Sequence, residues 1–221
     1  MPFIVIEAIN AAGKTTQFNL LSQTLEKAGY KVHQYHFHQR ERATGQLIEY
    51  KFLHNKTSGA RFTRREQALL YIQDFFTRSE DISSLLAQKS ERHVVLADRF
   101  YTSTLAYQTI GLTGRRRQTM IKWIKWLCEQ GIPRLPKPDL VILLDTTVDI
   151  AVQHLAKTKK DYFEYRQRLT NLRRSYLRLA KEDKWVVINC VNDRGKQRSV
   201  EDIHNEVYRH VSKSKFTKFN T

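Results

Sequence analysis

The chain has 221 residues, with 38 Lys and Arg against 22 Asp and Glu, a net charge of +16 and 41% apolar residues. That length suits one large α/β domain carrying an inserted segment rather than two separate cores. No apolar run approaches the roughly 18 residues of a membrane-spanning helix. The positive charge is spread over Arg64-Arg65, Arg115 to Arg117, Lys157 to Lys160 and Arg173-Arg174. Such a spread fits a solvated surface around a pocket for polyanions, with at most nonspecific affinity for nucleic acid. The chain opens on a strand rather than on the charged-then-apolar order of a leader, and Cys128 and Cys190 are isolated in apolar surroundings. Reduced core thiols and a cytoplasmic protein are expected.

In chain order, the apolar run Phe3–Glu7 predicts a buried strand. It is followed at once by Ala8-Ile-Asn-Ala-Ala-Gly-Lys-Thr-Thr16, a P-loop pattern whose first glycine is alanine, and by a helix over 14–29. Small residues let the loop turn, and the helix start aims backbone N–H groups at a polyphosphate. Asn10, Ala11, Ala12, Gly13, Lys14, Thr15 and Thr16 are therefore expected to line a nucleoside polyphosphate, with Lys14 at the β/γ-phosphates and the Thr15 hydroxyl toward Mg²⁺. Lys31–His36 predicts a second strand leading to Arg40, with helical patterns at 43–54 and 63–90 behind it. A third strand, His93–Ala97, ends in Asp98-Arg99 and gives way to a helical stretch over 102–130. The acid suits a role beside the metal and the guanidinium a bidentate grip on phosphate. Gly131 to Pro138 reads as a loop delivering strand Leu140–Leu144; helix 147–181, strand Trp185–Cys190 and helix 199–213 complete the chain. Alternating helices and continuously apolar strands predict a doubly wound, five-stranded parallel sheet with flanking helices. One domain over 1–211 is expected, with a lid at about 155–163 and a loose tail over 212–221.

The motifs resemble the thymidylate kinase family of P-loop nucleoside monophosphate kinases. The resemblance rests on Ile6-Glu7 with Gly13-Lys-Thr-Thr-Gln17, on Asp98-Arg99-Phe100 with Ser103 and Ala106-Tyr-Gln108, on Pro138-Asp-Leu140 leading to Leu144-Asp145, and on Asp161-Tyr-Phe-Glu164 followed by Leu172 to Ala180. It implies ATP as phosphoryl donor, Mg²⁺ held by Thr15 and Asp98, dTMP as acceptor, a mobile lid and a homodimer built on the helices of 63–130. It also implies that Lys14, Asp98 and Arg99 serve catalysis, that Arg40 holds the acceptor phosphate, that Tyr71 stacks on the acceptor base, and that Ser103, Tyr107 and Gln108 complete the acceptor site. This chain departs from the family at several positions. Asn10 stands where the family has an acid, and Ala11 and the lid segment lack the family's catalytic arginine. Phe75 replaces an arginine that reads the base and is expected to line the base pocket instead. Two alternatives stay open on these departures: another nucleoside monophosphate as acceptor, or a weakly catalytic protein that binds nucleotide and nucleic acid.

Overall fold

A computed structural model describes residues 1–50, 62–88, 92–155 and 162–214. The predicted lid core at 156–161 and the end of the predicted tail, 215–221, lie outside the described residues. Five strands, β1 (Phe3–Ala8), β2 (Lys31–His36), β3 (His93–Asp98), β4 (Leu140–Asp145) and β5 (Val186–Asn189), form one parallel sheet in the order β2-β3-β1-β4-β5. The sheet is the one the alternating pattern predicts. Strands β1, β3 and β4 are buried on both faces, which is why they read as unbroken apolar runs. β1 lies between β3 and β4, so the chain leaves it in opposite directions on its two sides. The crevice beyond the carboxyl ends at that divergence is where such sheets take ligands.

The flanking helices are α1 (Lys14–Lys27), α2 (Ala43–Ile48), α3 (Arg64–Phe76), α4 (Ser79–Ala87), α5 (Tyr101–Gln108), α6 (Gly114–Lys125), α7 (Val148–Leu155), α8 (Tyr162–Glu182) and α9 (Val200–Lys213). Among the described residues, two long predicted helices are broken, each for a local reason; the predicted helix over 147–181 is α7 and α8, on either side of 156–161. The 63–90 stretch divides after Phe76, where Thr77 Oγ1 donates to the Asp74 carbonyl at 2.6 Å and Ser79 Oγ to the Phe76 carbonyl at 2.8 Å. Hydroxyls that take up backbone carbonyls in this way compete with helix continuation. The 102–130 stretch divides at the segment holding Gly111 and Gly114, both at positive φ, and ends in a wide turn over Trp126–Gln130. α3 opens on a capping box, Thr63 Oγ1 accepting from the Glu66 N–H while Glu66 Oε2 accepts from the Thr63 N–H.

The interior below the crevice is aromatic. Phe75 is 3% exposed and meets Phe37 edge-on, with ring centroids 5.0 Å apart; Phe100 lies 5.3 Å from it and in turn meets Phe3 at 5.1 Å. The cluster ties β1, the end of β2, α3 and the start of α5 together. Not all of the basic runs are surface, as their spread suggested. Arg117 is 2% exposed, and its Nη1 donates to both carboxylate oxygens of Glu182, at 2.8 and 2.9 Å, joining α6 to the end of α8. No described helix is long and apolar enough to cross a membrane.

Two outcomes follow from this packing. Cys128 and Cys190 are buried as free thiols; burial is the main cause that raises both above the ordinary thiol range, Cys190 to about 12. At pH 8 neither should be labelled by a thiol reagent in the native protein, and both should react once denaturant unfolds it. Phe75→Arg places a guanidinium among packed rings. It should lower the unfolding free energy by about 3 kcal/mol in a denaturant titration, the scale of losing a large buried side chain or burying an unpaired charge.

Candidate active site

The sheet register builds the site. Ile6 of β1 stands beside Asp98 of β3, and the Arg99 N–H donates to the Ile6 carbonyl at 3.1 Å. The loop leaving β1 and the Asp98-Arg99 pair are therefore neighbours. Gly13 has φ 82°, a conformation that glycine adopts without cost, and α1 starts on the next residue. Lys14 lies folded against the sheet with its ammonium in contact with Asp98 Oδ1. Asp98 Oδ2 is also 3.7 Å from Nδ1 of His36, at the end of β2. Burial, and next the Arg99 guanidinium, draw the Lys14 ammonium below the ordinary lysine range, while Glu7 works the other way. His154, on α7, donates from Nδ1 to the Ala11 carbonyl at 2.9 Å, and so fixes the top of the loop.

Arg99 has φ 66°, an arrangement that costs a non-glycine residue on the order of 1–3 kcal/mol and is found chiefly at functional sites. Its side chain is held from several directions. Nη1 donates to the Tyr176 hydroxyl at 3.0 Å, the Ala8 carbonyl at 3.2 Å and Ser103 Oγ at 3.3 Å; Nη2 donates to Asn10 Oδ1 at 3.0 Å. Tyr107 lies against the guanidinium, 5.8 Å from its ring centre, and its hydroxyl donates to Asn10 Oδ1 at 3.3 Å. Beneath them Glu7 is fully buried. It accepts from Thr102 Oγ1 and Ser103 Oγ, each at 2.6 Å, from the Tyr176 hydroxyl at 3.0 Å and from the Phe100 N–H at 3.3 Å. Lys14, Asp98, Arg99, Asn10, Ser103 and Tyr107 thus converge as the sequence expects.

The expected acceptor residues are more dispersed. Tyr71 packs against the core near Arg99 and Tyr107, and burial pushes its hydroxyl up to about 12. Gln108 is 3% exposed, and its backbone carbonyl accepts from Arg64 Nη1 at 3.1 Å. Phe75 spends its ring on Phe37 and Phe100. Arg40 points outward, 73% exposed, paired with Glu49 at 3.1 Å. The residue before it is the buried one: the Gln39 N–H donates to Asp74 Oδ2 at 2.9 Å, and Gln39 Oε1 accepts from Arg78 Nε at 2.9 Å. Gly45 makes this close packing possible, because a Cβ there would fall 1.9 Å from the Gln39 carbonyl oxygen. Arg78, one helical turn beyond Phe75, is drawn to Gln39, Glu41 and Asp81.

Asp98, at the mouth of the loop, and the exposed Thr15 hydroxyl offer hard oxygen donors. Such a set suits Mg²⁺, which is typically held through one or two protein oxygens plus substrate phosphates. The residues of the Arg99 cradle that sequence reasoning passed over are Glu7, as an anchor, and Tyr176. A lone acid inside the apolar run Phe3–Ala8 is a legible sign for Glu7, since a buried carboxylate needs donors. Tyr176 sits in the buried stripe Leu169, Leu172, Tyr176, Leu179, where nothing in the pattern distinguishes it from core.

A family model described as thymidylate kinase matches residues 6–207. A probable thymidylate kinase of Thermococcus gammatolerans is 32% identical over 93% of this chain and 93% of its own length. One from Sulfurisphaera tokodaii is 31% identical over 86% of this chain and 88% of its own. The fold is that of the Candida albicans thymidylate kinase structure, with a TM-score of 0.69 at 22% identity, covering 98% of this chain and 93% of that one. A family match from the loop strand through to α9, carried by relatives that align along nearly their whole length, means that this chain belongs to the thymidylate kinase family.

Proposed function

We propose that the protein transfers the γ-phosphoryl group of ATP to dTMP, giving dTDP and ADP. The observation that carries this reading is the convergence of Lys14, Asp98 and Arg99 at the carboxyl ends of β1 and β3, in a chain of the thymidylate kinase family. A phosphate oxygen of the acceptor attacks the γ-phosphorus in line. The new P–O bond forms as the bond to the β–γ bridging oxygen breaks, and the electron pair leaves with ADP. Both partners are already charged phosphates, so positioning and charge neutralisation carry the catalysis and no strong base is needed.

In this scheme the amides of Asn10 to Thr16 and the Lys14 ammonium hold the donor phosphates. Thr15 and Asp98 would hold Mg²⁺, which would supply neutralisation of the phosphate charge. Arg99 spans donor and acceptor phosphates from its fixed position. Arg40, released from Glu49, meets the acceptor phosphate, while Tyr71 faces the base, with Phe75 packed one turn further along α3. Ser103, Tyr107 and Gln108 place α5 along the acceptor. The absence of arginine at Ala11 and across 156–161 leaves Arg99 as the fixed guanidinium of the reaction. We read the chain as one domain over 1–211 with a lid near 155–163, working in the cytoplasm as a homodimer. The exposed Leu69 of α3 and Trp126 beyond α6, 46% and 55% accessible, lie on the helices proposed for that interface.

Mg-ATP should be turned over in the presence of dTMP, measured as ADP release against a panel of ribo- and deoxynucleoside monophosphates. The absence of monophosphate-stimulated ADP release, or a clear preference for another acceptor, would overturn the reading. Arg99→Ala should chiefly lower kcat, because the contact strengthens as charge moves between the phosphates. A loss of about 2–4 kcal/mol of transition-state stabilisation, read from kcat/KM in steady-state assays, is the scale for one charge-stabilising contact in a closed site.

A further inference from the structure

The chain leaves β2 beside Asp98. The Phe37 N–H donates to the Asp98 carbonyl at 3.1 Å, which brings residue 38 to the carboxyl-end crevice next to Arg99. His38 is bracketed by two fixed neighbours. Phe37 is buried with its ring 5.0 Å from that of Phe75, and the Gln39 N–H donates to the buried Asp74 at 2.9 Å. Asp74 and Phe75 are consecutive on α3, one turn beyond Tyr71, so His38 is held against the segment proposed to meet the acceptor base. Its ring is half-buried, and the two nitrogens differ. Nε2 is sealed from solvent and has no hydrogen-bond partner among the described residues, whereas Nδ1 is neither sealed nor bonded to one. Burial is the main cause that draws His38 below the ordinary histidine range; Asp74 and Glu49 oppose it, and Arg40 and Arg99 add to it. A neutral imidazole carries one N–H. A sealed N–H with no acceptor costs more than an empty lone pair, so the proton belongs on Nδ1 and the ring presents a donor to the crevice.

We propose that His38 is a specificity residue whose Nδ1–H donates to a carbonyl oxygen of the acceptor base, in place of the donor that Phe75 lacks. Phe75 stands where the family has its base-reading arginine, but its ring is spent on Phe37 and Phe100 and offers no hydrogen bond. His38, the residue after Phe37, brings a donor to the same region from the neighbouring segment. A donor there suits the 4-keto oxygen of thymine or uracil and opposes the 4-amino group of cytosine, which carries hydrogens of its own. A site built to donate to one base leaves that donor unpaired against the other. The inference rests on dTMP as the proposed acceptor and adds how its base is chosen.

The experiment compares wild type, His38→Ala and His38→Asn by kcat and KM for dTMP and for dCMP at saturating Mg-ATP. Asparagine is the informative replacement, because its amide nitrogen takes the place of Nδ1 and keeps the donor without the ring. His38→Ala is expected to lower the dTMP-to-dCMP ratio of kcat/KM about tenfold, the scale of one lost hydrogen bond. The loss should fall on KM for dTMP rather than on kcat, as for a contact made equally in the ground and transition states. His38→Asn is expected to keep the wild-type ratio to within about threefold, since it retains the hydrogen bond. The ratio is taken within each variant, so any loss of folded protein cancels from it. An unchanged ratio in His38→Ala, or one as low in His38→Asn as in His38→Ala, would overturn the inference and leave dTMP as the acceptor. A wild type with no preference for dTMP over dCMP would instead overturn the proposed acceptor, and the inference with it.

Discussion

A fully buried carboxylate, Glu7, organises this site. Moving an ionised carboxyl out of water costs several kcal/mol unless donors surround it. Here those donors come from three elements: the N–H of Phe100 just before α5, the hydroxyls of Thr102 and Ser103 within α5, and Tyr176 of α8. β1 cannot sit in the sheet with Glu7 satisfied unless α5 and α8 are docked against it. The same acid, through Ser103 and Tyr176, sets the oxygens that hold Arg99. One buried charge thereby couples the packing of the core to the placement of the Arg99 guanidinium.

The site proposed for phosphate is organised in advance in the same sense. Lys14 is folded onto Asp98, Arg99 is fixed in a positive-φ conformation, and the top of the loop is held by His154. Fixed charges and dipoles in a partly dry site gain strength and need not reorganise when charge moves. This matters to the proposed reaction, because two positions where the family carries an arginine lack one here. Ala11 supplies none, and the basic residues of 156–161 are lysines, which act as point charges rather than bidentate clamps.

On the acceptor side the constraint is steric. The segment after β2 is pressed against α2 closely enough that residue 45 must be glycine, and the buried Asp74 of α3 accepts from the Gln39 N–H at 2.9 Å and Thr44 Oγ1 at 2.7 Å. Gln39 is held inward by this arrangement and Arg40 is left at the surface. The aromatic cluster of Phe37, Phe75 and Phe100 underlies the same region.

The sequence by itself determined the parallel sheet, because strands covered on both faces must be apolar throughout, and the runs at Phe3, His93 and Leu140 have no other use. It also determined the loop and its Lys14, whose spacing between strand and helix is encoded locally. Helix ends were less legible. The breaks at Thr77 and Gly111 depend on which hydroxyls and glycines the packing recruits, and similar residues elsewhere leave helices intact. Tertiary structure alone decided the partners of Arg99, which come from positions 8, 10, 103 and 176. It decided that Arg117, in a basic run, is buried against Glu182, and that Gln39 rather than Arg40 faces inward. The physical reason is the same in each case. A local pattern reports which face of an element is buried, but the hydrogen-bonding partner of a buried polar group is supplied by whatever distant segment the fold brings against it.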